Sequence, residues 1–114
     1  MAQVLDLVKG DAKTLRITVR TDGNNRFNLT GYDTIMYLYE DSDNPDDTSA
    51  LMTWDSADPT RAKIIDPTNG EVEYYIKGSD TGALERVRQY LIRAKVFTDS
   101  EHIYTIYEAF LQIS

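Results

Sequence analysis

Asp66-Pro67-Thr68-Asn69-Gly70-Glu71-Val72-Glu73-Tyr74-Tyr75-Ile76 is a turn that opens directly into a strand. Pro67 presets φ for the turn and Gly70 accepts a positive φ without steric cost. Val72, Tyr74 and Ile76 then alternate with Glu71, Glu73 and Tyr75, the pattern of a strand with one face buried and one wet. The same grammar repeats outward in both directions. Upstream, Ala62-Lys63-Ile64-Ile65 leads into the turn, and Thr14-Leu15-Arg16-Ile17-Thr18-Val19-Arg20 alternates without error. Downstream, Lys77-Gly78 ends the strand, and residues 79–85 read as a linking loop with room for one helical turn, because Gly82 weakens anything longer.

The remaining segments complete the set. Val4-Leu5-Asp6-Leu7-Val8 is a short opening strand closed by Lys9-Gly10-Asp11, and Thr21-Asp22-Gly23-Asn24-Asn25 is a turn cluster. Arg26-Phe27-Asn28-Leu29-Thr30-Gly31 leads away from it with Phe27 and Leu29 on one side. In Thr34-Ile35-Met36-Tyr37-Leu38-Tyr39 both faces are apolar or amphipathic, so this strand is expected to be central, or covered on its second face by a partner. An acidic loop around Pro45 precedes Ala50-Leu51-Met52-Thr53-Trp54. Residues 88–97 and 104–113, joined by Thr98-Asp99-Ser100-Glu101-His102, form an antiparallel hairpin. Seven to eight short strands with regular turn signals predict an all-β, Greek-key antiparallel sandwich. A small closed barrel is the rival that periodicity leaves open.

Composition bounds the rest. The 114 residues suit a single domain spanning 1–114, and 41% hydrophobic with 27% charged residues is ordinary for a folded globular chain. No apolar run approaches the roughly 18 residues that span a bilayer, and the N-terminus lacks a basic segment followed by an apolar one, so synthesis in a cytoplasm and no membrane partner are expected. The absence of cysteine excludes disulfides and thiolate chemistry. The formal charge of −7 is local: Glu40, Asp41, Asp43, Asp46, Asp47, Asp55 and Asp58 fall in a stretch with no Lys or Arg, and elsewhere the two signs balance. Such a stretch repels phosphate, and nucleic acid is not an expected partner.

In their order along the chain, Lys9-Gly10-Asp11, the strand from Thr14 to Val19, Asn28-Leu29-Thr30-Gly31 with its following strand, Thr68-Asn69-Gly70-Glu71-Val72-Glu73-Tyr74, and the closing pair of strands form a set of landmarks. The set resembles the immunoglobulin-like N-terminal domain of the baseplate upper protein family of tailed bacteriophages, over roughly residues 8–113. The resemblance implies an immunoglobulin-like β-sandwich and a non-enzymatic virion component, in the baseplate, tail, neck or capsid decoration, that docks onto other virion structural proteins. It further implies a multi-copy or homo-oligomeric setting and no cofactor. Members of that family usually continue into extended segments that carry receptor-binding proteins, so a chain ending at Ser114 is expected to act as a small adaptor.

Candidate chemistry is sparse. Asp41, Asp43, Asp46 and Asp47 offer carboxylates of the kind Ca²⁺ takes, but Pro45 and Asp46 break the EF-hand pattern and Met52 stands where its closing Glu belongs. A solvated acidic loop is the leading reading, with a different cation site or a contact for a basic partner as alternatives. His102, the sole histidine, lies in a polar connection without a nucleophile and is expected to be a surface residue. With no phosphate loop or nucleophile elbow, enzyme activity is not expected. Tyr75, facing away from Val72 and Tyr74, is the best single candidate for partner contact. Trp54 is expected to be a packing anchor, or the platform of a carbohydrate-binding or adhesion module if it is exposed.

Overall fold

In the computed structural model, which describes residues 3–21, 25–40, 50–86, 88–99 and 101–114, the turn at residues 66–70 is held from several sides. Gly70 has φ +70° and donates its N–H to the Pro67 carbonyl at 3.2 Å. The Asp66 carboxylate accepts from the Asn69 backbone N–H at 3.3 Å and from its side-chain amide at 2.9 Å. Glycine is required for a second reason besides the positive φ. A Cβ at this position would strike the Phe27 carbonyl oxygen and lie 2.9 Å from that of Val19.

Eight strands among the described residues form two sheets. The smaller orders β2 (Lys13–Thr18), β6 (Glu71–Ile76) and β5 (Ala62–Asp66), all antiparallel, with an irregularity between Ile64 and Asp66. The larger orders β1 (Gln3–Leu7), β8 (Ile103–Ile113), β7 (Arg88–Phe97), β3 (Asp33–Glu40) and β4 (Met52–Asp55). One pair departs from the antiparallel expectation: β1 runs parallel to β8, from Gln3 opposite Ala109 to Leu7 opposite Ile113. These strands lie at opposite ends of the chain, so no hairpin dictates their relative direction. Lys9 and Ser114 extend the pairing through Lys9 N–H to the Ser114 carbonyl at 3.0 Å and Ser114 N–H to the Leu7 carbonyl at 2.9 Å.

The sheets face each other across one core. Leu15, Ile17, Val72, Tyr74 and Ile76 of the smaller sheet meet Met36, Leu38, Trp54, Ile92, Ala94 and Leu111 of the larger. The alternation read at residues 71–76 is reproduced: Val72, Tyr74 and Ile76 are buried while Glu71, Glu73 and Tyr75 are half-buried on the other side. A polar link crosses the core and is anchored within the larger sheet. The Tyr74 hydroxyl lies 2.5 Å from Thr34 Oγ1, which itself donates to the Lys95 carbonyl at 2.8 Å; the single threonine proton is thus committed, and Tyr74 is the donor. Burial pushes the Tyr74 phenol well above its ordinary pKa, which keeps that donor protonated.

Two connections are packed more tightly than their composition suggests. Residues 25–32 form no strand beyond a single bridge between Arg20 and Arg26, yet Leu29 is fully buried and its N–H donates to the Pro67 carbonyl at 2.7 Å. The expected helical turn is α1 (Gly78–Gly82). Its buried Thr81 hydroxyl accepts from Gly10 N–H at 3.0 Å and donates to the Asp11 carbonyl at 2.7 Å, fastening α1 to the connection between β1 and β2.

Candidate functional site

Trp54 is fully buried, and its indole N–H donates to the Tyr75 carbonyl of the opposite sheet at 3.1 Å. The Arg61 guanidinium lies 4.9 Å from its ring centre, held there by both oxygens of Asp80 at 2.8 Å and by the Thr53 carbonyl at 3.1 Å. Trp54 is therefore the packing anchor that joins the two sheets. The carbohydrate platform, which needs an exposed indole, has no basis at this residue. The reason is register: Trp54 stands opposite Met36, on the face of β4 that looks into the core.

Tyr75 lies on the outer face of the smaller sheet, half-buried, and its hydroxyl donates to Glu73 Oε1 at 3.0 Å. Glu73 also accepts from Arg16 Nε at 2.9 Å and Nη2 at 2.7 Å across the β2–β6 pair. Hydrogen bonding to Arg16, helped by Tyr75, holds the Glu73 carboxyl below its ordinary pKa. Partial desolvation, then the bond to Glu73, raises that of the Tyr75 phenol. The three side chains satisfy one another.

His102 is exposed, with its ring Nδ1 2.9 Å from Asp99 Oδ1, and that carboxylate also accepts from the His102 and Glu101 backbone N–H groups. It closes the β7–β8 connection. Asp41, Asp43, Asp46 and Asp47 lie outside the described residues. Among the described residues no cluster of three or more His, Asp or Glu side chains could hold a metal ion.

The outer face of the larger sheet is of another kind. Because Met36 and Leu38 fill the core, Ile35, Tyr37 and Tyr39 of β3 point the opposite way. The rings of Tyr37 and Tyr39 stack with centroids 5.9 Å apart, Lys95 Nζ lies 5.4 Å from the Tyr37 ring centre, and the Arg93 guanidinium lies 6.0 Å from that of Tyr39. Arg93 in turn donates from Nε to Glu108 Oε2 at 2.8 Å. Tyr39 and the directly opposed Leu91 are 2% and 5% exposed although neither belongs to the central core, so they form an apolar floor on this outer side. Beside that floor runs a groove of about 350 Å³ between Ile35, Tyr37, Lys95, Phe97 and Ile103.

The sequence signal for this surface was the doubly apolar character of residues 34–39. What sequence reasoning missed was the pair of cations. Lys95 and Arg93 reach the tyrosines only because β3 and β7 are neighbours in a register that sets Ile35 opposite Lys95 and Tyr37 opposite Arg93. Compared with known proteins, the chain matches no protein-family model and no curated protein.

Proposed function

We propose that this chain is a non-enzymatic, protein-binding structural subunit of a tailed-phage particle, built on an immunoglobulin-like sandwich. The order of its strands supports the immunoglobulin-like assignment: β8, β7, β3 and β4 take the places of G, F, C and C′ in one sheet, β2, β6 and β5 those of B, E and D in the other. β1 then occupies the free side of the G position. The resemblance carried by the landmarks from Lys9 to Tyr74 supplies the phage context.

The observation that carries the binding role is the outer face of the larger sheet. Half-buried Tyr37, backed by the buried Tyr39 it stacks on and set beside a shallow apolar groove, gives aromatic contact area at low entropic cost and leaves little to reorganise on docking. The partner is another structural protein of the particle, and repeated copies add avidity to modest single contacts. No chemical step and no cofactor belong to this reading.

The test is co-sedimentation with assembled particles. Wild-type protein should travel with the particles, and a Tyr37→Ser, Lys95→Glu double variant with an unchanged melting profile should stay in the supernatant. Equal partitioning of the two proteins would defeat the role given to this face.

A further inference from the structure

The β8 strand is paired along its whole length with β7 but only in part on its other side. Among the described residues β1 covers Ala109 through Ile113, and Lys9 bonds to Ser114 beyond it. At the opposite end, Thr98 N–H donates to the His102 carbonyl at 3.1 Å, which makes residues 98 and 102 a bonded pair. Bonded and non-bonded pairs alternate in an antiparallel ladder, so Tyr104 bonds to Val96, while Ile103 and Thr105 turn their N–H and C=O groups away from β7. Among the described residues no backbone group pairs with that outward side of residues 103–105. The stretch carries neither charge nor proline, the usual devices that guard an exposed edge. Its protection is limited to the bulge that begins at Ile106, the residue left over where the register shifts between Ala94 and Lys95.

Directly beside this edge, where the two sheets part, lies a second groove of about 500 Å³ lined by Val19, Phe27, Val96, Tyr104 and Ile106. Ile103 and Tyr104 are 49% and 47% exposed, among the most exposed large apolar side chains described. Arg20 is the one charged residue among the described residues that line the groove, and Arg26 stands opposite it across the isolated bridge. An unguarded edge with an apolar recess on one side has the parts of a strand-addition site: backbone bonds for affinity and a pocket for alternate side chains.

We propose that the open β8 edge at residues 103–105 binds an extended strand of a partner protein by β-augmentation, with alternate apolar side chains entering the groove. The same edge already holds one strand in this way, since β1 lies along its other half with Leu5 and Leu7 packed against the core. The inference rests on the protein-binding reading but, Ile103 apart, on different residues from those of the outer face.

The probe is an end-blocked eight-residue peptide alternating valine with threonine. In amide NMR titration of the full chain it should perturb Ile103, Tyr104 and Thr105 first. N-methylation of the peptide at alternate residues should weaken binding at least tenfold, and serine in place of its valines several-fold. Thr105→Pro, which removes one outward N–H and leaves the β7 ladder intact, should abolish binding, while Tyr37→Ser should not change it. Should Thr105→Pro fail to fold, the methylated peptide against wild-type protein decides alone. Equal binding of the methylated peptide, no binding at millimolar peptide, or perturbations confined to the outer face would overturn the proposal. So would concentration-dependent dimerisation through residues 103–105, which would make a second copy the occupant. Failure here with retained particle association leaves the protein-binding reading standing; peptide binding without particle association has the reverse meaning.

Discussion

Arg16, Glu73 and Tyr75 on the outer face of the three-stranded sheet close on one another, whereas on the outer face of the five-stranded sheet Tyr37 and Tyr39 stack beneath Lys95 and Arg93. Both faces stand over the same core and both follow the two-residue period of a strand. The first is what a sheet with one wet side needs: polar groups paired across strands, at modest gain per pair. The second goes beyond that need, because it adds half-buried Tyr37 and an adjoining groove to the already covered Tyr39 and Leu91. Cation–π contacts are worth about 0.5–1 kcal/mol at exposed sites and about 2 kcal/mol when desolvated, so the contact of Arg93 with the buried Tyr39 ring also adds to stability. The difference between the faces is what the proposed recognition role of the larger sheet rests on.

The largest effect tests the layer the faces share. Trp54→Ala should cost about 3–5 kcal/mol in chemical denaturation, through its cavity and the loss of the bond to the Tyr75 carbonyl between the sheets. Trp54→Phe, which keeps most of the volume, should cost distinctly less. A near-neutral Trp54→Ala would mean the two faces are not held to one frame. Next comes Gly70→Ala, expected to destabilise by about 1–2 kcal/mol from the left-handed backbone alone and by more from contact with the Val19 and Phe27 carbonyls. Thermal melting checks it, and a neutral result would remove the turn as the point that joins β5–β6 to residues 19–29.

The comparison itself is sharpened by paired surface variants. Tyr37→Ser should weaken particle association at least about tenfold with little change in stability, as expected of an aromatic anchor in an interface. Tyr75→Ser on the opposite face should leave association unchanged, and the reverse pattern in co-sedimentation would exchange the roles of the sheets. The smallest effect concerns charge. Glu73 is held below its ordinary pKa by Arg16, so their contribution is present above the usual carboxylate range and is lost as pH falls through the lowered value. In Arg16→Ala the Glu73 carboxyl should titrate at higher pH by NMR, and the melting difference from wild type should disappear in acid. Persistence of that difference at low pH would show that Arg16 acts through packing instead of charge.

Much of the architecture was legible because strands announce themselves locally. The alternation at residues 14–19 and 71–76, the Pro67 to Gly70 turn and the closing hairpin all appear where the sequence places them. Strand pairing was not legible, since a period of two states which side chains share a face and is silent on neighbours. The parallel docking of β1 on β8, the inward turn of Trp54 and the burial of Leu29 in an irregular segment all depend on partners distant in the chain. The outer tyrosines were half legible: residues 34–39 showed two apolar faces, but the cations above them come from β7.

By itself the sequence determined the strands, the turn chemistry and the inward faces, because these follow from dihedral preference and from the burial of every second side chain. Only the tertiary structure decided which outer face is self-satisfied and which is aromatic, and where, among the described residues, an edge is left open. Those properties arise from register between strands tens of residues apart, and no local pattern encodes it.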